Sequence, residues 1–129
     1  MYISLVMPLP VITEIRDRNH FLEIIKSNPG ILIIKFGAKW CGPCKVIEND
    51  VKYAFSVMPD NVQCMNIDID LYPDVYAFLK AKRVVNGVPA ILSYVKTNLS
   101  YIPDDIVIGA NTPDVRAFFT RCLDMANQI

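Results

Sequence analysis

The most constraining feature of the sequence is a buried-looking strand that leads directly into a Cys-x-x-Cys pair. The run Ile31–Gly37 is apolar on both alternating faces except at Lys35, and the pair Cys41 and Cys44 begins after three intervening residues. A strand of this composition is typical of the centre of a sheet covered by helices on both sides. The pair then opens a helical stretch that continues to about Met58. This junction predicts an α/β fold.

The rest of the chain keeps alternating between strand-like and helix-like patterns, without a repeat or linker, so we predict a single domain over residues 1–129. The predicted strands are residues 1–13 at a sheet edge, 31–37, 62–68, 90–96 and 106–108. The predicted helices cover residues 17–27, 41–58, 72–82 and 112–125. Asp17 and Thr112 are the predicted N-caps of the first and last helices. The fold expected is a central mixed sheet of about five strands flanked by about four helices.

Composition limits the classes of partner. The 129 residues are 53% hydrophobic, which is enough for an ordinary core without metals or structural disulfides. Thirteen basic residues balance thirteen acidic ones, so no net field draws the chain to nucleic acid or an anionic membrane. The start of the chain lacks the marks of a targeting signal, and no apolar run approaches the roughly 18 residues of a membrane span. We therefore expect a soluble, cytoplasmic monomer.

The cysteine pair has the spacing of a redox site. Cys41 lies at the predicted helix N-terminus, where unpaired N–H groups and the helix dipole stabilise a thiolate. We expect Cys41 to titrate below the free-thiol value of about 8.5, and Cys44, one turn inside, to be shielded. Cys41 would attack a disulfide and Cys44 would resolve the mixed disulfide. Pro43 stiffens this turn, and Gly42 admits a substrate backbone.

Two other interpretations of the pair are half of a zinc site and a pair of unreactive core thiols. A structural zinc site usually needs a second pair of Cys or His ligands at similar spacing. The chain offers none, because Cys64, Cys122 and the only histidine, His20, are widely separated. We expect Cys64 and Cys122 to be core thiols. The sequence therefore favours disulfide chemistry.

The segment Phe36-Gly37-Ala38-Lys39-Trp40-Cys41-Gly42-Pro43-Cys44-Lys45 resembles the active site of the thioredoxin family, and Trp40–Lys45 matches that family's motif without a change. The resemblance implies a thioredoxin-like fold and the reduction of protein disulfides, with an external reductase such as a thioredoxin reductase as partner. It implies no cofactor beyond the Cys41–Cys44 disulfide. It also implies a cis Val88–Pro89 bond facing the cysteines, with Val88 pairing with the substrate backbone and Trp40 on the substrate-contact surface.

Two residues of this strand depart from that family's pattern, and the change at Lys35 affects the chemistry. Lys35 stands where the family usually has a buried Asp that assists proton transfer from the second cysteine, and Gly37 replaces an aromatic residue. A neutral Lys35 would accept the Cys44 proton. A cationic Lys35 would stabilise a thiolate and make the protein more oxidising. A third possibility is that Lys35 reaches solvent or pairs with Glu48 or Asp68.

The alternative function is a protein-binding adaptor on the same fold, with little or modified redox activity. The change at Lys35 is the sequence feature that argues against full activity. A long polar loop, residues 97–105, is either a partner-specific surface or simply a longer hairpin. The intact cysteine motif favours the enzyme.

Overall fold

The computed structural model describes residues 7–129, which form a four-stranded mixed sheet in the order β2-β1-β3-β4. The strands are β1 (Ile31–Gly37), β2 (Val62–Asp68), β3 (Ala90–Val95) and β4 (Asp105–Ile108). β1 pairs with β2 in parallel and with β3 in antiparallel orientation, and β3 and β4 are antiparallel. The sheet therefore has β1 at its centre, as its apolar sequence predicts.

Within residues 7–129, five helices cover the sheet. They are α1 (Arg18–Lys26), α2 (Gly42–Val46), α3 (Glu48–Ser56), α4 (Pro73–Ala81) and α5 (Thr112–Asn127). One core lies between the sheet and α3 and α5, where Ile31 and Ile33 of β1 are buried. The other lies on the opposite face against α1 and α4, and contains Leu32, Ile34 and Phe36 of β1. Alternate residues of one strand thus enter two different cores.

The helix predicted over residues 41–58 is two helices in the structure. α2 ends at Val46, and Ile47 takes φ −98° and ψ 0° before α3 begins at Glu48. The Ile47 side chain is fully buried, so the chain bends where this residue is anchored in the core. Hydrophobic periodicity continues across such a bend, which is why the sequence did not reveal it.

The edge strand predicted over residues 1–13 is wrong for the part that the structure describes. Within residues 7–13 only Ile12 pairs, in one parallel bridge with Met65. Its N–H donates to the Cys64 carbonyl at 3.0 Å, and its carbonyl accepts from Asn66 at 2.9 Å. Pro8 and Pro10 have no backbone N–H to extend this pairing. Residues 1–6 lie outside the described part of the chain.

The N-cap of α5 is one residue earlier than predicted. Asp17 caps α1 as expected, since its carboxylate accepts the N–H of His20 at 2.9 Å. For α5, however, the cap is Asn111, whose side-chain oxygen accepts the N–H of Asp114 at 3.1 Å. Thr112 is already helical, and it is followed by Pro113. Asparagine and threonine are both good caps, so the sequence did not separate the two positions.

The loop between β3 and β4 is an ordered hairpin connection. The Asp104 carboxylate accepts the Val95 N–H at 2.8 Å, and the Tyr94 hydroxyl donates to the Tyr101 carbonyl at 2.8 Å. These bonds fix the loop to the strand that precedes it.

In the described part of the chain, no helix combines the length and apolar character that crossing a membrane requires.

Candidate active site

The two motif cysteines form a disulfide at the start of α2. Cys41 is the N-cap of this helix, and its Sγ accepts the backbone N–H of Cys44 at 3.1 Å. Cys44 lies one turn inside, with 5.3 Å between the two Cα atoms. Both residues are buried in this oxidised state. The structure therefore brings the two sulfurs together and gives Cys41 Sγ an N–H donor.

The cis peptide bond Val88–Pro89 faces this disulfide. The bond is cis as expected, and Cys41 Sγ lies 3.6 Å from the Val88 carbonyl oxygen. Pro89 is buried, whereas Val88 is partly exposed. The preceding residue, Gly87, has φ +129°, which favours glycine, and its N–H donates to the Tyr76 hydroxyl at 3.0 Å. The turn thus places the Val88 backbone beside the sulfur of Cys41.

Trp40 forms the exposed rim of the site. Its side chain is 68% exposed, and its indole N–H donates to the Asp70 carboxylate at 2.8 Å. Gly42 and Pro43 are also exposed. Asp70, 30 residues away in the chain, was not identified from the sequence as part of the site. No local signal marks it, because its role depends on the approach of the loop after β2.

Lys35 lies beneath the disulfide, on the β1 face that it shares with Ile31 and Ile33. It is half-buried and lines a cavity of about 640 Å³ together with Cys44, Glu48 and Asp68. The sequence did not distinguish a buried amine from one that is paired. Among residues 7–129, the Lys35 ammonium has no carboxylate within 4.0 Å and no hydrogen bond. The direct pairing with Glu48 or Asp68 considered from the sequence is therefore not observed.

The environment of Lys35 favours loss of its proton. Burial lowers the pKa of Lys35 from its ordinary value of 10.5, and the more distant charges of Glu48 and Asp68 oppose this effect without cancelling it. The amine can still reach water through the cavity. A group of this kind can exchange a proton with a neighbouring thiol.

The other two cysteines are core thiols, as predicted. Cys64 in β2 and Cys122 in α5 are free and buried. Burial raises the pKa of each thiol to about 12, so neither forms a thiolate at neutral pH. Within the described residues, no three His, Cys, Asp or Glu side chains are grouped as a metal ion requires.

The thioredoxin family model matches residues 11–119, which include the disulfide, the cis-proline turn and all four strands. The chain belongs to the thioredoxin family. Among solved structures, that of Trichomonas vaginalis thioredoxin aligns with a TM-score of 0.70 and 22% identity, covering 88% of this chain and 97% of the other. This similarity confirms the thioredoxin fold that was predicted from the sequence.

Two curated thioredoxins show how far the sequence similarity extends. Thioredoxin 3 of Plasmodium falciparum is 31% identical over 119 residues, which are 88% of this chain and 61% of that protein. Thioredoxin H8 of Arabidopsis thaliana is 36% identical over 70 residues, which are 52% of this chain and 47% of that protein. The chain thus spans about half the length of the curated relatives that it matches.

Proposed function

We propose that this protein is a thiol–disulfide oxidoreductase that reduces protein disulfides through Cys41 and Cys44. The observation that carries the proposal is the Cys41–Cys44 disulfide at the start of α2, with Cys41 Sγ beside both the Cys44 N–H and the Val88 carbonyl. The N–H donor and the helix N-terminus stabilise negative charge on Cys41 when the bond is reduced. Cys41 is therefore the attacking thiolate.

The reaction proceeds in two exchanges. The Cys41 thiolate attacks one sulfur of a substrate disulfide, forming a mixed disulfide and releasing the other substrate sulfur as a thiolate. Cys44 then loses its proton and attacks Cys41 Sγ, so that the mixed disulfide breaks and the second substrate sulfur leaves. The substrate gains two electrons and two protons, and the protein ends with the Cys41–Cys44 bond closed.

The surface around Cys41 binds the substrate in this mechanism. The Val88 backbone, held by the cis bond to Pro89, pairs with an extended substrate segment next to the sulfur. Trp40 supplies an exposed aromatic surface, oriented by its bond to Asp70. Gly42 and Pro43 leave the approach to the helix start free of bulky side chains. Each group lies at the mouth of the site and contacts substrate without blocking Cys41.

We propose that Lys35 is the proton acceptor for Cys44. This role is supported by its place in the same cavity as Cys44, by the lowered pKa of its amine and by the absence of a direct acidic partner among residues 7–129. A cationic Lys35 that stabilises a thiolate would instead make the protein more oxidising, by about 30 mV for each 1.4 kcal/mol. Burial lowers the pKa of the amine and so increases the fraction of the neutral form that the first role requires.

Turnover needs a source of electrons, because each cycle leaves the protein oxidised. We propose an external reductase as partner and no cofactor beyond the disulfide. A relative in Mycobacterium leprae is named a bifunctional thioredoxin reductase/thioredoxin, which supports this partnership. It is 29% identical over 65 residues, which are 14% of that protein. We further propose a monomer that transfers electrons in the cytoplasm, where the free thiols Cys64 and Cys122 stay reduced.

Insulin reduction by dithiothreitol tests the function. Wild-type protein should accelerate precipitation of the insulin B chain, and Cys41→Ser should not exceed the rate with dithiothreitol alone. Cys64→Ala is the matched control, since it removes a cysteine outside the site and should retain the acceleration. Activity of Cys41→Ser equal to wild type would contradict the mechanism and leave the adaptor as the better account of this fold.

A further inference from the structure

Gly37, the last residue of β1, lies where Lys35 approaches Cys44. Residues 35 and 37 share one face of the strand, so a side chain at position 37 would enter the space above Lys35. A Cβ atom at Gly37 would lie 2.8 Å from Lys35 Nζ, 3.2 Å from Lys35 Cε and 3.5 Å from Cys44 Sγ. The amine and the sulfur therefore both approach the one point that a side chain would occupy.

The backbone does not require glycine at this position. The positive φ angles of the described glycines are at Gly87 and Gly109, and Gly37 is ordinary extended strand. The close contacts are with the far end of a flexible lysine side chain, and the contact with Cys44 Sγ is an ordinary van der Waals distance. Adding a methyl group should therefore displace the Lys35 amine while leaving β1 and the disulfide in place.

We propose that Gly37 is a positioning residue: by having no side chain, it allows the Lys35 amine to stand beside Cys44 and take its proton in the resolving step. The inference rests on the proposed function and assigns a role to a glycine that the cysteine mechanism alone does not use. Lys35 acts on the reacting sulfur, and Gly37 acts only through Lys35.

The proton transfer is balanced within the site. The Cys44 thiol gives its proton to Lys35 in its neutral form, whose fraction rises with pH and is increased by burial, producing a thiolate and an ammonium. The thiolate forms the bond to Cys41 Sγ, and the substrate sulfur leaves with the electron pair of the broken bond. The ammonium then returns its proton to water in the cavity.

Several other titratable groups line the same cavity. They come from the loop before the motif, from α2 and α3, from β2 and from the residues that follow β2: Lys39, Lys45, Glu48, Lys52, Asp68 and Tyr72. Of these six groups, only Glu48 and Asp68 affect the pKa of Lys35, and both raise it against the larger lowering effect of burial. The experiment below leaves all six unchanged, so differences between variants report positions 35 and 37.

A double-mutant cycle tests the proposal. Wild type, Gly37→Ala, Lys35→Met and the double variant are reduced, then mixed with a fluorescent peptide disulfide. Stopped-flow traces between pH 6 and 9 resolve formation of the mixed disulfide from its resolution by Cys44. Circular dichroism and thermal unfolding check that each variant is folded.

At pH 7, Lys35→Met should slow resolution roughly 100-fold, the low end of the contribution of a positioned acid or base, and move its pH midpoint upward. Gly37→Ala should slow the same phase at least about ten-fold and move its midpoint in the same direction. In the Lys35→Met background, the alanine should change the rate by less than about two-fold, because no amine remains to displace.

Three results would overturn the inference. Gly37→Ala could resolve at the wild-type rate, it could slow resolution equally in the Lys35→Met background, or Lys35→Met itself could leave resolution unchanged. In all three cases the first phase still reports attack by Cys41. Absence of that first phase in wild type would instead contradict the proposed function, so the two failures are distinguishable.

Discussion

At the scale of single residues, the least ordinary feature is an amine on the central strand. Burial lowers the pKa of Lys35, so the folded state binds fewer protons than the unfolded state between this lowered pKa and 10.5. Stability therefore rises as the pH increases through that range, and the penalty for burying the ammonium is fully present below it.

This penalty predicts the pH dependence of a Lys35→Met variant. At pH 7 the oxidised variant should be more stable than wild type, because it no longer carries the cost of partly burying an ammonium. The difference should shrink by pH 10, where wild type is losing the charge. Urea unfolding at both pH values measures it. A constant difference, or a less stable variant at pH 7, would contradict this account of Lys35.

The residues of the site divide by the kind of information that locates them. Cys41 and Cys44 are identifiable from local spacing, and the Val88–Pro89 turn from the family resemblance. Asp70 and Gly37 are not, because the first reaches the site through its hydrogen bond with Trp40 and the second through its proximity to Lys35 and Cys44, and both depend on the folded chain. The glycine was visible as a departure from the family pattern, but only the folded chain shows what its missing side chain makes room for.

At the scale of elements, the cap of α5 gives a direct comparison between neighbouring positions. Asn111→Ala removes the acceptor of the Asp114 N–H and should destabilise the protein by about 1 kcal/mol. Thr112→Ala is the matched control and should change stability by less than about 0.5 kcal/mol, since Thr112 does not cap the helix. Chemical denaturation of both variants measures the difference. A larger loss of stability for Thr112→Ala than for Asn111→Ala would contradict this assignment and support Thr112 as the cap.

The sequence predicted four of the five strands and the limits of three helices closely. Those four strands appear in order and within about two residues of their predicted limits, because period-two alternation and turn residues mark them locally. The sequence did not predict the bend at Ile47, since this bend depends on how one buried side chain fits the core. Within residues 7–13, only Ile12 pairs with the sheet. The apolar composition of this segment predicted a strand, but Pro8 and Pro10 have no N–H groups with which to extend the pairing.

At the scale of the whole molecule, the four cysteines differ in their chemistry because of where they lie relative to the core. Cys64 and Cys122 contribute to the core between the sheet and the pair α3 and α5, and the pKa of each is raised to about 12. The Cys41–Cys44 pair follows the end of β1, and Cys44 lines the cavity that Lys35 also lines. One domain over residues 1–129 stays a prediction, since residues 1–6 are not described.

This division predicts selective alkylation. Reduced, folded protein treated briefly with iodoacetamide at pH 8 should be modified at Cys41, while Cys64 and Cys122 stay unmodified because they remain protonated and buried. In guanidinium chloride all four cysteines should react. Peptide mass spectrometry gives the sites. Modification of Cys64 or Cys122 at a rate equal to Cys41 in the folded protein would contradict their place in the core.

The assignment of Cys41 as attacking and Cys44 as resolving thiol is tested most directly by trapping the mixed disulfide. Reduced Cys44→Ser and Cys41→Ser are each mixed with insulin, quenched with acid and mapped by mass spectrometry. The mechanism predicts a stable insulin adduct on Cys41 in the Cys44→Ser variant and little adduct in Cys41→Ser. An adduct that instead accumulates on Cys44 in Cys41→Ser, with none on Cys41 in the other variant, would contradict it.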